Sequence, residues 1–341
     1  MDAGAVQVRR SRRVNRPSMQ KAIGVDLGGS HVMAAVISDD GKIASRHEQD
    51  LDDLAVDPVV NAVENTVGKV LSDTKGKSVL GLGLGSPGNI DPASGTILYS
   101  PNFRWKNVAL GELLRKRFDL PVFIGNDARC ATLGEYTYGI GRGTQHFVLL
   151  TLGTGIGGGI VSAGSLLLGN SAGAGELGHH QIKPLGGFIC NCGKTGCFEA
   201  QASGTGLMRH AFAIAASFPR SNLLAKDAGK LGSKAIRKAA QNGDVHALAA
   251  WKNFTEDLAI GLANVIAFVN PELIALGGGV SSAGGYMLDS VRQRVDELTT
   301  MVPRGTTRID IAKLGNDAGA IGAATMVFRG GLTTGARRVK A

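Results

Sequence analysis

Short, continuous apolar runs that end in glycine are the dominant pattern of this chain. Residues 22–25 and 32–37 form two such runs, and the segment Asp26-Leu27-Gly28-Gly29-Ser30 separates them. The second run ends at the turn-forming residues 39–42. Two apolar runs joined by a short turn that contains glycine predict a β-hairpin at the start of the fold.

A helical pattern follows this hairpin. Asp57 and Pro58 have the form of a helix start, and valines then recur at helical spacing at positions 59, 63, 67 and 70. Apolar runs at residues 79–84 and 121–124 predict two further strands, and a short helix is predicted between them at Leu110–Arg117. Strands that alternate with helices are typical of an α/β lobe.

The second half of the chain opens in the same way. The apolar run Phe147–Leu152 leads into the glycine-rich residues 153–159 and then into Ile160 and Val161. Later patterns predict a long helix at Val245–Val269, strands at 273–276 and 309–313, and a final helix at 317–328. Two lobes that open alike indicate an internal duplication around a cleft.

Composition narrows the class of protein. The chain has 341 residues, of which 43% are hydrophobic and 19% are charged, so disordered, collagen-like and disulfide-scaffold proteins are excluded. The 50 glycines make up about 15% of the chain, roughly twice the usual share. This surplus indicates a backbone that turns tightly or approaches other groups closely at many points.

The formal net charge of +9 belongs to the two ends of the chain. Residues 1–20 and 329–341 each carry a net charge of +4, which leaves the body of the chain almost neutral. We therefore expect a disordered basic tail at 1–20 and a flexible basic tail at 330–341, and no specific nucleic-acid partner.

Residues 147–175 contain no charged side chain, but their many glycines favour buried strands over a membrane helix. The basic start of the chain is not followed by the apolar run of a signal peptide. The pattern predicts a cytoplasmic protein without a membrane anchor.

Three glycine turns, at residues 26–30, 153–159 and 277–279, suggest phosphate binding. Backbone N–H groups that no side chain covers can reach phosphate oxygens. Asp26 adds a carboxylate for the hydration shell of Mg²⁺, and Ser30 adds a hydroxyl group. The spacing differs from the Walker A loop and from the dinucleotide-binding fingerprint. A tight hairpin or bulge is the alternative explanation for each single turn.

These turns resemble the phosphate and adenosine motifs of the actin-like ATPase superfamily, and specifically those of the ROK family of bacterial sugar kinases and repressors. The resemblance covers residues 20–330. It implies an α/β, two-lobed actin-like ATPase (ribonuclease H-like) fold, with a duplicated βββαβα core around a central cleft. The N-terminal lobe would span residues 21–127, with the helix at 317–329 packing back on it, and the larger lobe would span 128–316.

His31 departs from the family pattern, in which Lys often follows the hydroxyl residue. The residues implied to bind Mg-ATP are Asp26, Gly28, Gly29, Ser30, Gly153, Thr154, Gly155, Gly277, Gly278 and Gly279.

Three cysteines within eight residues predict a structural zinc site in the larger lobe. Cys190, Cys192 and Cys197 have spacing that can wrap a tetrahedral ion, and a histidine lies close by in sequence. Buried or redox-active thiols are the alternative. The resemblance implies that a Glu-x-Gly-His motif supplies the fourth ligand. Counting from that motif favours His179, which we predict as the ligand, whereas the usual gap to the first cysteine leaves His180 as the alternative.

Asp127 is the candidate catalytic base. Asn126 and Asp127 follow a predicted strand and precede a helix, so either could instead be a helix N-cap. A carboxylate at the lobe junction could take the proton of a sugar hydroxyl during phosphoryl transfer, and the resemblance implies this role for Asp127. It also implies a set of sugar contacts, namely Gly88, Asn102, Asn126, Asp127, Glu176, His179 and Glu199.

The resemblance implies an ATP-dependent kinase that phosphorylates the 6-hydroxyl of a hexose, with glucose as the leading substrate. Fructose, N-acetylglucosamine and N-acetylmannosamine are alternative acceptors, and polyphosphate is an alternative donor. A sugar-sensing transcriptional regulator of the same family is the alternative from another class. That alternative calls for a DNA-binding domain, and the roughly twenty residues before Ala22 are too few for one. A homodimer or homotetramer is expected.

Overall fold

The computed structural model describes residues 19–74, 78–224 and 232–332. The predicted basic tails lie almost entirely outside these residues. The described strands are β1 (Lys21–Leu27), β2 (His31–Ser38), β3 (Ile43–Asp50), β4 (Leu82–Ser86), β5 (Asn89–Asp91), β6 (Thr96–Ser100), β7 (Trp105–Val108), β8 (Val122–Asn126), β9 (Phe147–Leu152), β10 (Ile156–Ser162), β11 (Ser165–Leu166), β12 (Leu273–Gly277) and β13 (Arg308–Ile311).

The described α-helices are α1 (Val56–Asp73), α2 (Leu110–Arg117), α3 (Asp127–Thr137), α4 (Phe198–Ala202), α5 (Gly204–Ala213), α6 (Ser233–Gln241), α7 (Val245–Val269), α8 (Gly285–Leu298) and α9 (Ala318–Arg329). The longest of them, α7, carries charged side chains at Lys252, Glu256 and Asp257, which break its apolar sequence. Across the described ranges, no helix combines the length and the apolar character that crossing a bilayer would require.

Two five-stranded sheets repeat one topology, so the predicted duplication is confirmed. The first has the order β3-β2-β1-β4-β8, and the second has the order β11-β10-β9-β12-β13. In each sheet the first three strands along the chain pair antiparallel, and the last two add in parallel. The two parallel additions in each sheet require crossover connections, which contain α1 and α2 in the first half and the helices from α4 to α8 in the second.

Several predicted elements match the structure closely. The elements α2, β9 and α7 have the predicted bounds. The predicted strand at 79–84 instead forms at Leu82–Ser86, because it continues through two glycines to pair with β1 and β8. In the second half, strand β10 begins at Ile156, so the glycine turn is shorter than the predicted 153–159.

The pattern did not predict β3 or the small sheet β5-β6-β7. In β3 every second residue is exposed, and charged residues occupy much of the strand, because it forms the edge of the first sheet. Strands β5 to β7 are three to five residues long and carry only short apolar segments. Neither feature produces a continuous apolar run.

Helices α3 and α9 lie between the two sheets. Small residues let α9 approach the first sheet closely, since a side chain at Gly24 or Gly83 would collide with the α9 carbonyls of Ala320 and Ala323. On the other side, Cys130 and Leu133 of α3 pack with Phe147 and Leu149 of β9. Part of the glycine surplus therefore serves helix packing rather than phosphate binding.

Candidate active site

Two aspartates lie at the same edge of the first sheet because of the strand register. Asp26 of β1 pairs with Gly85 of β4, and Gly85 pairs with Gly125 of β8. These strands are parallel, so their carboxyl ends meet at one edge. Asp127 follows Gly125 by two residues. Because Gly85 has no side chain, the start of α3 packs directly against it.

Asn126, not Asp127, caps helix α3. The side chain of Asn126 accepts a hydrogen bond from the N–H of Arg129 at 3.2 Å. Asp127 is the first helical residue, and its Oδ1 accepts only from the N–H of the adjacent Ala128, at 2.8 Å. One carboxylate oxygen of Asp127 is therefore free of hydrogen bonds from the described residues. The helix-cap alternative applies to Asn126.

The loop after β4 approaches this edge. Asn126 Nδ2 donates to the carbonyl of Gly88 at 3.2 Å, which connects the start of α3 to this loop. Gly88 has a φ of 120° and packs against Ser100, so a side chain there would be strained. Asn102 lies close to Gly29 of the first glycine turn. Predicted sugar and phosphate residues are thus neighbours.

Burial and mutual repulsion perturb the two carboxyl groups. Burial raises the pKa of Asp26 from 3.8 to about 7, and the nearby charges of Asp127 and Glu48 add to this shift. Burial also raises the pKa of Asp127, and Glu176 contributes in the same direction while Arg129 opposes it. Two acids whose ionised forms are unfavourable indicate a place for a cation or a transferred proton.

Replacing Asp26 with Asn is expected to stabilise the fold at neutral pH. The folded-state pKa lies above the unfolded value, so the folded carboxyl binds a proton more tightly and the wild type loses stability as pH rises from about 4 to 7. Above pH 7 the penalty reaches at most about 4 kcal/mol. Thermal melts should give a Tm for Asp26→Asn that exceeds the wild-type Tm by several degrees at pH 8 and by less at pH 5. A difference that does not change with pH would contradict the raised pKa.

The first glycine turn is short and partly exposed. The N–H of Gly28 donates to the carbonyl of His31 at 2.9 Å and closes the turn, while Gly29 and Ser30 remain exposed. The ring of His31 lies against Gly28, and its Nδ1 is 3.3 Å from Ser30 Oγ. The imidazole of His31 thus lies beside the hydroxyl group of Ser30, at the position where the resemblance implies Lys.

The second and third glycine turns are adjacent at the edge of the second sheet. Within the second turn, the N–H of Gly153 donates to the carbonyl of Gly155 at 2.9 Å. In the third, Gly278 has a φ of 81° and packs against Leu152 at the end of β9. Close by, Gly279 borders a cleft that is also lined by Ser233, Lys234, Arg237, Trp251 and Ser282.

Two other glycines of the segment 153–159, Gly157 and Gly159, face α3. Side chains at Gly157 and Gly159 would collide with Ala128 and Thr132 of that helix. These positions serve the contact between α3 and β10. Of the turn predicted at 153–159, only Gly153, Thr154 and Gly155 lie between the two strands, so the phosphate prediction is kept for these three residues alone.

His179, Cys190, Cys192 and Cys197 form a cluster that fits a tetrahedral metal ion. Their four ligand atoms all lie within 4.8 Å of one another. Cys192 Sγ is 3.6 Å from Cys197 Sγ, and Cys190 Sγ is 3.7 Å from His179 Nδ1. A Zn–S bond of about 2.3 Å gives tetrahedral sulfur–sulfur separations of about 3.8 Å. The donor set and its spacing therefore fit zinc.

His180 lies apart from this cluster. Its Nδ1 is 2.5 Å from the carbonyl of Leu177, and its ring packs against Phe198 and Phe268. The short 3-10 helix Leu177–His179 turns the two neighbouring histidines in different directions. His179 is the histidine that the structure brings to the cysteines.

Glu199 connects the cysteine cluster to the second glycine turn. Its Oε2 accepts from the N–H of Ile156 at 2.9 Å, and its Oε1 is 3.6 Å from Cys190 Sγ. The sequence patterns gave no indication of this double contact, because it joins residues 43 positions apart.

Arg129 is a further residue that the sequence patterns missed. Its side chain is only 3% exposed and bonds to the segment before His179 through Ala174 and Glu176. Its place in α3, between small residues, does not distinguish it from a surface arginine. Only the packing of α3 on the second half of the molecule reveals it.

Comparison with known proteins gives matches over most of the chain. The model of the ROK family matches residues 22–329. A glucokinase of Thermotoga maritima is 39% identical over 314 residues, which cover 90% of this chain and 97% of the relative. A xylose repressor of Caldicellulosiruptor bescii is 30% identical over 267 residues, which cover 78% of this chain and 66% of the repressor.

A solved structure has the same fold. It is the crystal structure of a ROK family glucokinase from Streptomyces griseus in complex with glucose and AMPPNP, with a TM-score of 0.78 and 33% identity. The match covers 90% of this chain and 98% of that chain.

Proposed function

Since the chain belongs to the ROK family, we propose that it is an ATP-dependent hexose kinase that transfers the γ-phosphoryl group to the 6-hydroxyl of glucose. The observation that carries the proposal is the meeting of Asp26 and Asp127 at one sheet edge, beside an exposed glycine turn. The relatives named as glucokinases support it through their identity and their nearly complete coverage.

Asp127 would accept the proton of the attacking hydroxyl group. As the sugar oxygen forms its bond to the γ-phosphorus, the bond to ADP breaks and the hydroxyl proton passes to the free oxygen of Asp127. Its pKa is raised by burial, so the carboxylate is a stronger base than an exposed aspartate. Asn126 would hold both the helix start and the sugar loop in place through its two hydrogen bonds.

The nucleotide would lie across the glycine turns. The N–H groups of residues 29–30 and 154–155, which take no part in the bonds that close the turns, are suited to phosphate oxygens, and the turn 277–279 with its neighbouring cleft is suited to adenosine. Asp26 would hold the hydrated Mg²⁺ of Mg-ATP, which neutralises phosphate charge during the transfer. Binding of a cation there would also lower the raised pKa of Asp26.

The sugar would contact residues from both halves, namely Gly88, Asn102, Asn126, Glu176, His179 and Glu199. A structural Zn²⁺ held by His179 and the three cysteines would fix the segment that contains the last three of these. We expect the enzyme to act in the cytoplasm as a homodimer or homotetramer.

A sugar-sensing regulator is less well supported. The xylose repressor is less similar than the glucokinase, and the chain spans about two thirds of its length. Among acceptors, fructose and the N-acetylated amino sugars stay as alternatives, because one hydroxyl or acetamido group distinguishes them from glucose.

A coupled assay of ADP release tests the proposal directly. Glucose, mannose, fructose, N-acetylglucosamine and N-acetylmannosamine should each be tested with ATP and with polyphosphate, measuring sugar phosphate where no ADP forms. We expect the highest kcat/KM for glucose with ATP. Failure of every sugar to stimulate turnover would reject the kinase proposal, and a preference for another sugar would reject glucose alone.

A further inference from the structure

Arg129 joins the helix of Asp127 to the segment that leads into the cysteine cluster. It is the third residue of α3, and Asp127 is the first. The guanidinium donates from Nε to the carbonyl of Ala174 at 2.9 Å and from Nη2 to Glu176 Oε1 at 3.1 Å. Both partners lie just before the 3-10 helix Leu177–His179.

These bonds connect two groups of residues that the fold supplies separately. Asn126 and Asp127 stand where β8 of the first sheet meets α3, whereas Glu176 and His179 follow β11 of the second sheet. A sugar that contacts both groups requires a fixed separation between them. The buried guanidinium of Arg129 spans that separation with directional bonds.

Stability alone does not account for a buried guanidinium at this point. Removing the charge from water costs several kcal/mol, which a well-made ion pair must offset. Here one partner is a neutral carbonyl, and the carboxylate partner, Glu176, has a side chain that is 52% exposed. An apolar side chain would pack α3 at lower cost, which indicates that the pair serves the site.

The geometry of Glu176 is consistent with such a role. Only its Oε1 is bonded within the described part of the chain, so Oε2 is available to a ligand. Arg129 and Asn126 also line one small cavity with Leu168 and Ala172. Arg129 therefore borders a small cavity next to Asn126, the residue that caps α3.

We propose that Arg129 is a positioning residue for sugar binding, which orients Glu176 through Oε1 and holds it at a set distance from Asp127. This inference rests on the proposed hexose kinase activity. It assigns to Arg129 no contact with the reacting atoms. Its effect should therefore appear in sugar affinity more than in nucleotide affinity.

Steady-state kinetics of Arg129→Met and Arg129→Lys test the inference. The loss of a hydrogen-bonded charge in Arg129→Met should raise the KM for glucose about ten- to a hundredfold, while the KM for ATP changes less than about threefold. Calorimetric titration with glucose should give the same change in Kd. Arg129→Lys keeps the charge and should recover part of the affinity.

Arg329→Met is the matched control. Arg329 Nη2 bonds to Thr137 Oγ1 at the far end of α3, at 3.1 Å. Its loss should lower the Tm and leave the KM for glucose unchanged. If Arg129→Met behaves like this control, or raises both KM values equally, Arg129 has only a structural role and the inference is wrong. If Arg129→Met does not fold, Arg129→Lys decides between the same outcomes.

The activity of the wild type distinguishes a failure of the proposed function from a failure of the inference alone. If no sugar stimulates its turnover, the proposed function fails and the inference fails with it. If the wild type phosphorylates glucose and the Arg129 variants keep their glucose affinity, only the inference fails.

Discussion

Replacing Asp127 with Asn is expected to lower kcat by a factor of about 10²–10⁴, the range for loss of a general base. The amide cannot accept the hydroxyl proton, whereas its shape and its acceptor oxygen are retained. The bond from the Ala128 N–H can also persist. Glucose affinity should therefore change little, and the Tm should not fall, because burial already disfavours the ionised form of Asp127. Coupled kinetics, calorimetry and thermal melts on one preparation would measure all three quantities.

Asn126→Ala provides the matched control, because Asn126 caps the helix. Loss of the cap should reduce the free energy of unfolding by about 1 kcal/mol. Asn126→Ala should thus lower the Tm and, because Asn126 is also a proposed sugar contact, weaken glucose binding, whereas Asp127→Asn should lower kcat without lowering the Tm. If Asp127→Asn retains more than about a tenth of the wild-type kcat, the lost transition-state stabilisation is under about 1.4 kcal/mol, and the base assignment is wrong.

Replacing Cys192 with Ser is expected to release one tightly bound zinc per chain and to lower the Tm substantially. Cys192 is the exposed member of the cluster, so the substitution disturbs little besides the ligand set. Without the ion, the segment from Glu176 to Glu199 should lose its fixed shape. The KM for sugar should rise more than the KM for ATP. Elemental analysis of protein purified without added metal, combined with kinetics, checks both expectations.

Cys130→Ala is the control for removing a thiol. Cys130 is buried beside Met326 and lies outside the cluster, so this variant should keep its metal content. The comparison of the two variants separates metal loss from the general cost of altering a cysteine. A wild type that contains no metal and is fully active would refute the zinc proposal.

The sequence predicted elements best where an apolar run is continuous and a glycine ends it. Strand β9 has this character, and its bounds agree with the structure, whereas the bounds of helix α7 were predictable from the helical spacing of its apolar residues. Edge strand β3 lacks such a run, because its alternate residues are exposed. The duplicated topology was predictable because both halves open with the same pattern, whereas pairing between distant strands has no local signal.

For the candidate site, the sequence predicted most of the residues but not the contacts that bring them together. Asp26 and Asp127 each follow an apolar run, but only the register through Gly85 brings them to one edge. The sequence motif predicted His179 with His180 as the alternative, and the structure brings His179 to the cysteines; the 3-10 turn that separates the two rings has no signal in the residue spacing. Arg129 was missed because its burial arises from tertiary packing alone.

The close packing of α9 on the first sheet determines which mutations this chain can tolerate. Any side chain at Gly24 or Gly83 meets the backbone of α9, and one at Gly319 meets the carboxyl group of Asp26. None of these glycines needs to touch a substrate for its replacement to abolish activity. A survey of inactivating substitutions would thus mark a band of glycines behind the cleft as prominently as the catalytic residues. Substitutions at these glycines are not tolerated because α9 packs directly on the sheet. The resulting loss of activity therefore carries no information about the reaction.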